Sequence, residues 1–159
     1  MAGEPILIAR NCAVVILGEA NSQKLADGFD VSILHSLAKV IAAPTMDRSD
    51  TDEFVVDDAL RASVAEMNRR SLILCGGLLE GAVTQVALSF LLEGYDVYVC
   101  ADQVVCGDPE REAMYLDRIR YCAGHIVTTR QIILELLSQE KEEAARAPLE
   151  ALLTAGAAG

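Results

Sequence analysis

The chain has 159 residues, a formal net charge of −11, an apolar fraction of 52% and an aromatic fraction of 4%. This length predicts one domain, and the composition predicts an aliphatic core of the kind found in parallel sheets that are covered on both faces. The negative charge argues against a nucleic-acid-binding protein, because such proteins neutralise phosphates with Lys and Arg.

The first part of the chain predicts one buried strand and two helices. The continuous apolar run Cys12–Leu17 is typical of a strand buried on both faces. A helix through residues 31–37 is expected next, and the run Lys39–Pro44 predicts either a short second strand or the end of that helix. The polar, acidic run Thr45–Glu53 predicts a loop, and helical spacing of apolar residues predicts a second helix at Asp57–Asn68.

From residue 72 onwards, strands and helices are predicted to alternate regularly. In chain order, the predicted elements are strand Leu72–Cys75, helix Ala82–Glu93, strand Asp96–Ala101, helix Pro109–Cys122, strand His125–Thr128 and helix Thr129–Leu137. This alternation implies right-handed βαβ crossovers and an open parallel sheet. A charged helix is expected over Gln139–Arg146 and a frayed end at Thr154–Gly159.

The five cysteines follow neither a metal-binding nor a disulfide pattern, and the two histidines are far apart in the sequence. We therefore expect no metal site and no cofactor. Cys75 and Cys100 end apolar strand-like runs, where cysteine usually behaves as a small buried hydrophobic residue. The N-terminus lacks a signal-peptide pattern, and no apolar run reaches transmembrane length. A reducing compartment is expected, the cytoplasm first and the mitochondrion as an alternative.

The most informative segment is Ser71–Gly94, with the sequence SLILCGGLLEGAVTQVALSFLLEG. It combines a predicted strand, a turn at Gly76 and Gly77, and a helix that opens near Glu80–Ala82. Together with AVVILGEANS, EGYDVYVCADQVV and CAGHIVTTRQIILEL, in this order and spacing, it resembles the isochorismatase-like cysteine hydrolases. The resemblance implies a three-layer α/β/α sandwich around a mostly parallel, Rossmann-like sheet of about five strands. It assigns residues 1–138 to this domain and leaves residues 139–159 as a charged tail, helical or disordered.

The resemblance also locates the family's catalytic positions. In this family a cysteine thiolate at the start of a helix attacks the substrate, an aspartate after the first strand takes the thiol proton, and a lysine completes the triad. Counting back from Gly94 puts the cysteine position at Ala82, and the aspartate position falls on Gly18. The lysine position falls near Glu53. The resemblance therefore implies a divergent member that lacks the Asp-Lys-Cys triad.

Loss of the triad favours a non-catalytic relative, a pseudoenzyme with a scaffold, ligand-binding or regulatory role. The pocket is expected at the ends of the strands and is formed by Gly18, Glu19, Gly76, Gly77, Glu80, Gly81, Ala82 and Cys106. One alternative is an active hydrolase of amides, esters or enol ethers that uses Cys106, Cys75 or Glu80. Another is RNA processing, as proposed for a mitochondrial relative. The resemblance also implies a homo-oligomer, or a hetero-oligomer with an active relative.

Each candidate residue also has a simpler structural explanation. Cys106 is explained as an ordinary loop thiol and Cys75 as a core residue. Glu80 can stabilise a helix N-terminus by roughly 0.3–1 kcal/mol without catalysis, although a pair of Glu80 with Glu19 could instead act as acid and base. The glycine turn is only weakly similar to a phosphate-binding loop, because no Walker lysine follows it.

Overall fold

The computed structural model describes residues 7–18, 32–48 and 56–156. Within these ranges the chain forms a parallel sheet and the helices that cover it. In chain order, the strands and α-helices are β1 (Cys12–Leu17), α1 (Ser32–Val40), β2 (Thr45–Arg48), α2 (Asp58–Met67), β3 (Ser71–Cys75), α3 (Thr84–Leu92), β4 (Asp96–Cys100), α4 (Glu112–Tyr121), β5 (His125–Val127), α5 (Thr129–Gln139) and α6 (Glu143–Gly156).

The sheet has the strand order β2-β1-β3-β4-β5, and all of its described pairings are parallel. Side chains of α1, α5 and α6 join the hydrophobic cluster on one face, and those of α2, α3 and α4 join the cluster on the other. In β1, Cys12, Val14 and Ile16 belong to the first cluster, and the residues between them belong to the second. The predicted three-layer α/β/α fold is confirmed, and every residue of β1 is buried.

The prediction for residues 39–53 was wrong in one respect. The run Thr45–Glu53 was expected to be a loop, but Thr45–Arg48 forms β2, and the preceding run Lys39–Pro44 contains the end of α1 and a turn. The strand was missed because it lies at the edge of the described sheet, where Met46 packs against the core between the exposed residues Thr45 and Asp47. An edge strand tolerates polar residues, which also limit unwanted pairing with other chains.

The helix expected over Gln139–Arg146 lies instead at Glu143–Gly156, where it forms α6. Leu149 is 3% exposed and packs in the same hydrophobic cluster as α1 and α5. The side chain of Arg146 donates to the carbonyl oxygens of Leu137 (2.8 Å) and Glu140 (2.9 Å), at the end of α5. A guanidinium group in this position satisfies carbonyl groups that have no partner within the helix.

The turn after β3 lies against the end of β1. Gly76 and Gly77 have positive φ angles of 70° and 77°. A Cβ atom on Gly76 would lie 2.5 Å from the carbonyl oxygen of Leu17, and one on Gly77 would lie 3.0 Å from the same atom. Both conformation and space therefore require glycine, and this packing explains the pair without a phosphate ligand.

The Gly76→Ala variant should lower the free energy of unfolding by about 2–5 kcal/mol, because it adds a clash with backbone to an unfavourable φ. Gly94→Ala is the matched control, since Gly94 also has a positive φ (94°) but no atom within 4 Å of the added Cβ. We expect this control to lose only about 1–2 kcal/mol. Urea denaturation measures both values, and equal losses would contradict the proposed close approach.

The Leu149→Ala variant should lower the free energy of unfolding by about 2–5 kcal/mol if α6 packs in the core as described. Leu92→Ala removes the same atoms from a side chain that is 89% exposed, and its effect should stay within about 0.5 kcal/mol. Chemical denaturation of the two variants tests this contrast. A neutral effect of Leu149→Ala would mean that α6 does not contribute to the stability of the domain.

Candidate functional site

The segment between β3 and α3 forms an irregular helical turn. Leu79–Val83 is a π-helical turn that leads directly into α3, with Gly81 outside helical geometry at φ −120° and ψ −108°. The backbone N–H groups of Gly81 and Val83 both donate to the carbonyl oxygen of Leu78, at 3.1 and 3.2 Å. Ala82 lies between them and is partly buried. The turn therefore presents a methyl group at its centre, and the two N–H groups beside it are already hydrogen-bonded.

The loop after β4 runs alongside this turn. The N–H group of Val105 donates to the carbonyl oxygen of Gly77 (3.0 Å), and the N–H group of Leu79 donates to that of Val105 (2.7 Å). A parallel bridge thus extends the β3–β4 pairing past the ends of both strands. As a result, the next residue of the loop, Cys106, lies against Glu80.

Glu80 holds this loop through both of its carboxylate oxygens. Oε1 accepts a hydrogen bond from the backbone N–H of Gly107 (2.9 Å), and Oε2 lies 3.7 Å from Sγ of Cys106. The same sulfur lies 3.2 Å from the carbonyl oxygen of Asp108. Glu80 therefore links the turn before α3 to the loop after β4, a role that the sequence interpretation as a helix-terminal charge did not include.

The described thiols with shifted pKa values are all less acidic than usual. Burial, followed by the negative charges of Glu80 and Glu112, raises the pKa of Cys106. Burial raises the pKa of Cys12 to about 12, and burial with the nearby Asp102 raises the pKa of Cys100. Nucleophilic cysteines have lowered pKa values, because the thiolate is the reactive form.

Cys75 is fully buried, with its sulfur 3.8 Å from the carbonyl oxygen of Val15. It packs in the hydrophobic cluster on the α1, α5 and α6 face, as expected for a core cysteine. Its side chain is therefore not accessible to a substrate in this conformation.

The structure brings together only part of the predicted pocket. Gly18 lies beside Gly77, and a Cβ atom added to Gly18 would lie 3.3 Å from the Cα atom of Gly77. Glu80 lies beside Cys106. Glu19 and Glu53 lie outside the described residues. The proposed Glu80–Glu19 pair and the position nearest the family lysine therefore stay predictions.

An open cleft of about 570 Å³ lies next to Glu80. The cleft is lined by α2 and the segment before it, by the π-helical turn and the residue before it, and by α3. The lining residues are Val56, Arg61, Leu78, Glu80, Gly81, Gln85 and Ser89. Of the predicted pocket it contains only Glu80 and Gly81. Gln85 and Ser89 could have been found from the sequence, because they follow Gly81 at intervals of four residues along one helical face.

Arg61 contributes a positive charge to this cleft. Its Nε lies 2.7 Å from Oε1 of Glu93, and its Nη1 donates to the carbonyl oxygen of Val56 at 3.2 Å. These contacts fix the guanidinium group between α2 and the end of α3. The sequence did not indicate this residue, since α2 approaches α3 only in the folded chain.

Within residues 7–18, 32–48 and 56–156, no group of three or more His, Cys, Asp or Glu side chains is arranged to hold a metal ion. None of the helices in these ranges is both long enough and apolar enough to cross a membrane.

Comparisons with known proteins agree with this architecture. The family model of the Isochorismatase domain matches residues 18–131. A secreted isochorismatase effector, Isc1 of Phytophthora sojae, is 28% identical over 115 residues, which are 72% of this chain and 49% of that protein. The chain thus spans about half the length of this relative.

Solved structures show the same fold at low sequence identity. The YcaC gene product of Escherichia coli, described as an octameric hydrolase of unknown specificity, has a TM-score of 0.79 and 19% identity, with 98% of this chain and 94% of that chain covered. The MAR1 ribonuclease of Caenorhabditis elegans has a TM-score of 0.77 and 14% identity, with 94% and 92% covered.

The Glu80→Gln variant should lower the pKa of Cys106, because it removes a negative charge beside the thiol while keeping an oxygen that can accept from Gly107. The midpoint of the pH profile for alkylation of Cys106 by iodoacetamide should therefore move to lower pH, with severalfold faster labelling at neutral pH. Peptide-resolved mass spectrometry measures this profile. Glu66→Gln on α2 is the control, and an unchanged midpoint in Glu80→Gln would show that the two side chains are not in contact.

Proposed function

We propose that this chain, which belongs to the isochorismatase family, is a catalytically silent member that binds a small molecule and acts as a scaffold or regulator. The observation that carries the proposal is Ala82, at the position where the family resemblance places the nucleophilic cysteine. A methyl group cannot form the covalent intermediate on which this chemistry depends. At Gly18, the position of the family aspartate, there is no side chain to take a proton.

The hydrogen bonds around Ala82 support the same conclusion. An oxyanion site needs N–H groups that point at the developing charge and are not already paired. Here the N–H groups of Gly81 and Val83 both donate to Leu78. These two N–H groups are thus already paired, which favours a structural role for them over stabilisation of a transition state.

The alternative, an active hydrolase with reassigned groups, is less well supported. Cys106 has a raised pKa, and Cys75 is fully buried. Glu80 could serve as a general base, but its two oxygens already contact Gly107 and Cys106. The contact between Cys106 and Glu80 favours this alternative, and loss of turnover in a Cys106→Ser variant would establish it.

The cleft supports ligand binding. A volume of about 570 Å³ falls within the range of small-molecule sites, roughly 300–1,000 Å³. Its lining combines the apolar side chains of Val56 and Leu78 with the charged or polar side chains of Arg61, Glu80 and Gln85. Such a mixture can hold a small organic molecule and fix its orientation without reacting with it.

Self-association is part of the proposal. The E. coli structural neighbour is described as octameric, and this chain has the same fold over nearly its whole length. We propose that it forms a homo-oligomer, with a hetero-oligomer containing an active relative as the alternative. An RNA-processing role is suggested by the similarity to the MAR1 ribonuclease structure, but the net charge of −11 opposes binding to phosphates.

The Ala82→Cys variant should remain inactive, with turnover of amides, esters and enol ethers indistinguishable from buffer, because a thiol alone lacks the aspartate and lysine that the family uses. Ala82→Ser is the matched control, and an active family hydrolase verifies the assay panel. Appreciable turnover by Ala82→Cys would mean that an acid and a cation occupy the site after all. Turnover by the unmodified chain that is lost in Cys106→Ser would instead establish the reassigned hydrolase.

A further inference from the structure

We propose that the cleft beside Glu80 binds a small organic cation, a protonated primary or secondary amine with an aliphatic body. This inference rests on the ligand binding proposed above and names the chemical class of the ligand. It depends on the charges, the hydrogen-bonding groups and the apolar side chains that line the cleft.

The positive charge of Arg61 is already paired with carboxylates. Its Nε lies 2.7 Å from Oε1 of Glu93, and its Nη1 lies 3.8 Å from Oδ1 of Asp58. An anionic ligand at Arg61 would therefore compete with an existing ion pair and would lie close to two acidic side chains. Coulomb repulsion from these side chains opposes a ligand of negative charge.

Glu80 is the other charged residue of the cleft lining, and its charge is not compensated by a cation. Its carboxylate accepts the N–H group of Gly107 and lies 3.7 Å from the sulfur of Cys106. In the described parts of the chain, no Lys, Arg or His side chain forms an ion pair with it. A carboxylate has about four acceptor sites, so Glu80 can accept further hydrogen bonds from an ammonium group.

The surroundings of Glu80 add negative charge. Burial, followed by the charges of Glu80 and Glu112, raises the pKa of Cys106, which places both carboxylates near this sulfur. The neighbouring Arg111 pairs with Asp108 at 2.5 Å. The chain as a whole has a net charge of −11. Negative potential of this kind raises the local concentration of cations in a cleft.

The uncharged lining residues determine the kind of cation. Gln85 and Ser89 carry oxygen acceptors, which suit an ammonium group that has N–H donors. Val56 and Leu78 provide apolar surface for an aliphatic body. None of the lining residues in the described chain is aromatic. A quaternary ammonium ion, which proteins bind over aromatic rings, is therefore disfavoured.

Three probes that share one ring and differ in charge test this class. They are cyclohexylmethylamine, which is a cation at neutral pH, the uncharged cyclohexylmethanol and the anion cyclohexanecarboxylate. Saturation-transfer difference NMR with the full chain measures the three dissociation constants. We expect about 1 mM for the amine, as is usual for a ligand of this size. The alcohol should bind about fivefold more weakly, and the carboxylate more weakly still.

Three variants locate the binding site. Glu80→Gln should weaken binding of the amine about fivefold, because it removes the charge but keeps an acceptor for Gly107. Glu66→Gln is the matched control, since it removes the same charge from an exposed position of α2 outside the cleft, and it should have less than a twofold effect. Arg61→Gln should strengthen binding of the amine about twofold, because Glu93 loses its cation. Circular dichroism verifies that each variant is folded.

The outcomes separate this inference from the proposed function. If Glu80→Gln weakens binding of the amine no more than Glu66→Gln does, the inference is overturned, because the net charge alone then attracts the probe. Carboxylate binding that is tighter than amine binding and is lost in Arg61→Gln would overturn the cationic class but leave ligand binding by the cleft in place. Failure of all three probes to bind would overturn both this inference and the proposed ligand binding.

Discussion

The close packing of the Gly76–Gly77 turn on the end of β1 organises the candidate site. Because the carbonyl oxygen of Leu17 occupies the space where a Cβ of either residue would lie, β1 and β3 end side by side. Gly77 and Leu79 then pair with Val105, which carries the loop after β4 across the sheet edge. The contact between Glu80 and Cys106 follows from this arrangement.

The polar groups near Ala82 are mostly paired within the protein. Leu78 accepts two N–H groups of the turn, and Glu80 accepts the N–H group of Gly107. Sites that perform acid–base or nucleophilic chemistry keep reactive groups accessible and shift their pKa values towards the working pH. The described thiols depart in the opposite direction, since burial and nearby carboxylates raise the pKa of Cys12, Cys100 and Cys106. These three thiols therefore lack the lowered pKa of a nucleophilic cysteine.

The sequence predicted the parts of the fold that depend on continuous apolar burial. Strands β1, β3 and β4 are runs of buried residues, and such runs are visible without a structure. The edge strand β2 was missed because it needs hydrogen bonds on one side only and therefore carries Thr45 and Asp47. The helix α6 was placed too early, because its packing depends on Leu149, whose partners are distant in the sequence.

The candidate site was predictable as a set of residues but not as a set of contacts. Glu80 and Cys106 were both singled out, yet their mutual contact depends on the bridge between Leu78 and Val105, which joins segments far apart in the chain. Glu80 and Gly81 of this cleft were predicted, but its α2 side was not, because Arg61 belongs to a helix whose position against α3 is set by tertiary packing. Periodicity reveals which face of a helix is buried, but not which helix lies opposite.

The helix α3 lines the cleft that a non-catalytic member could use. Its first turns carry Gln85 and Ser89, which line the cleft, and its last residue, Leu92, is exposed. Regulation through α3 would require two arrangements of this helix whose equilibrium the ligand shifts, and such a role needs no nucleophile at residue 82.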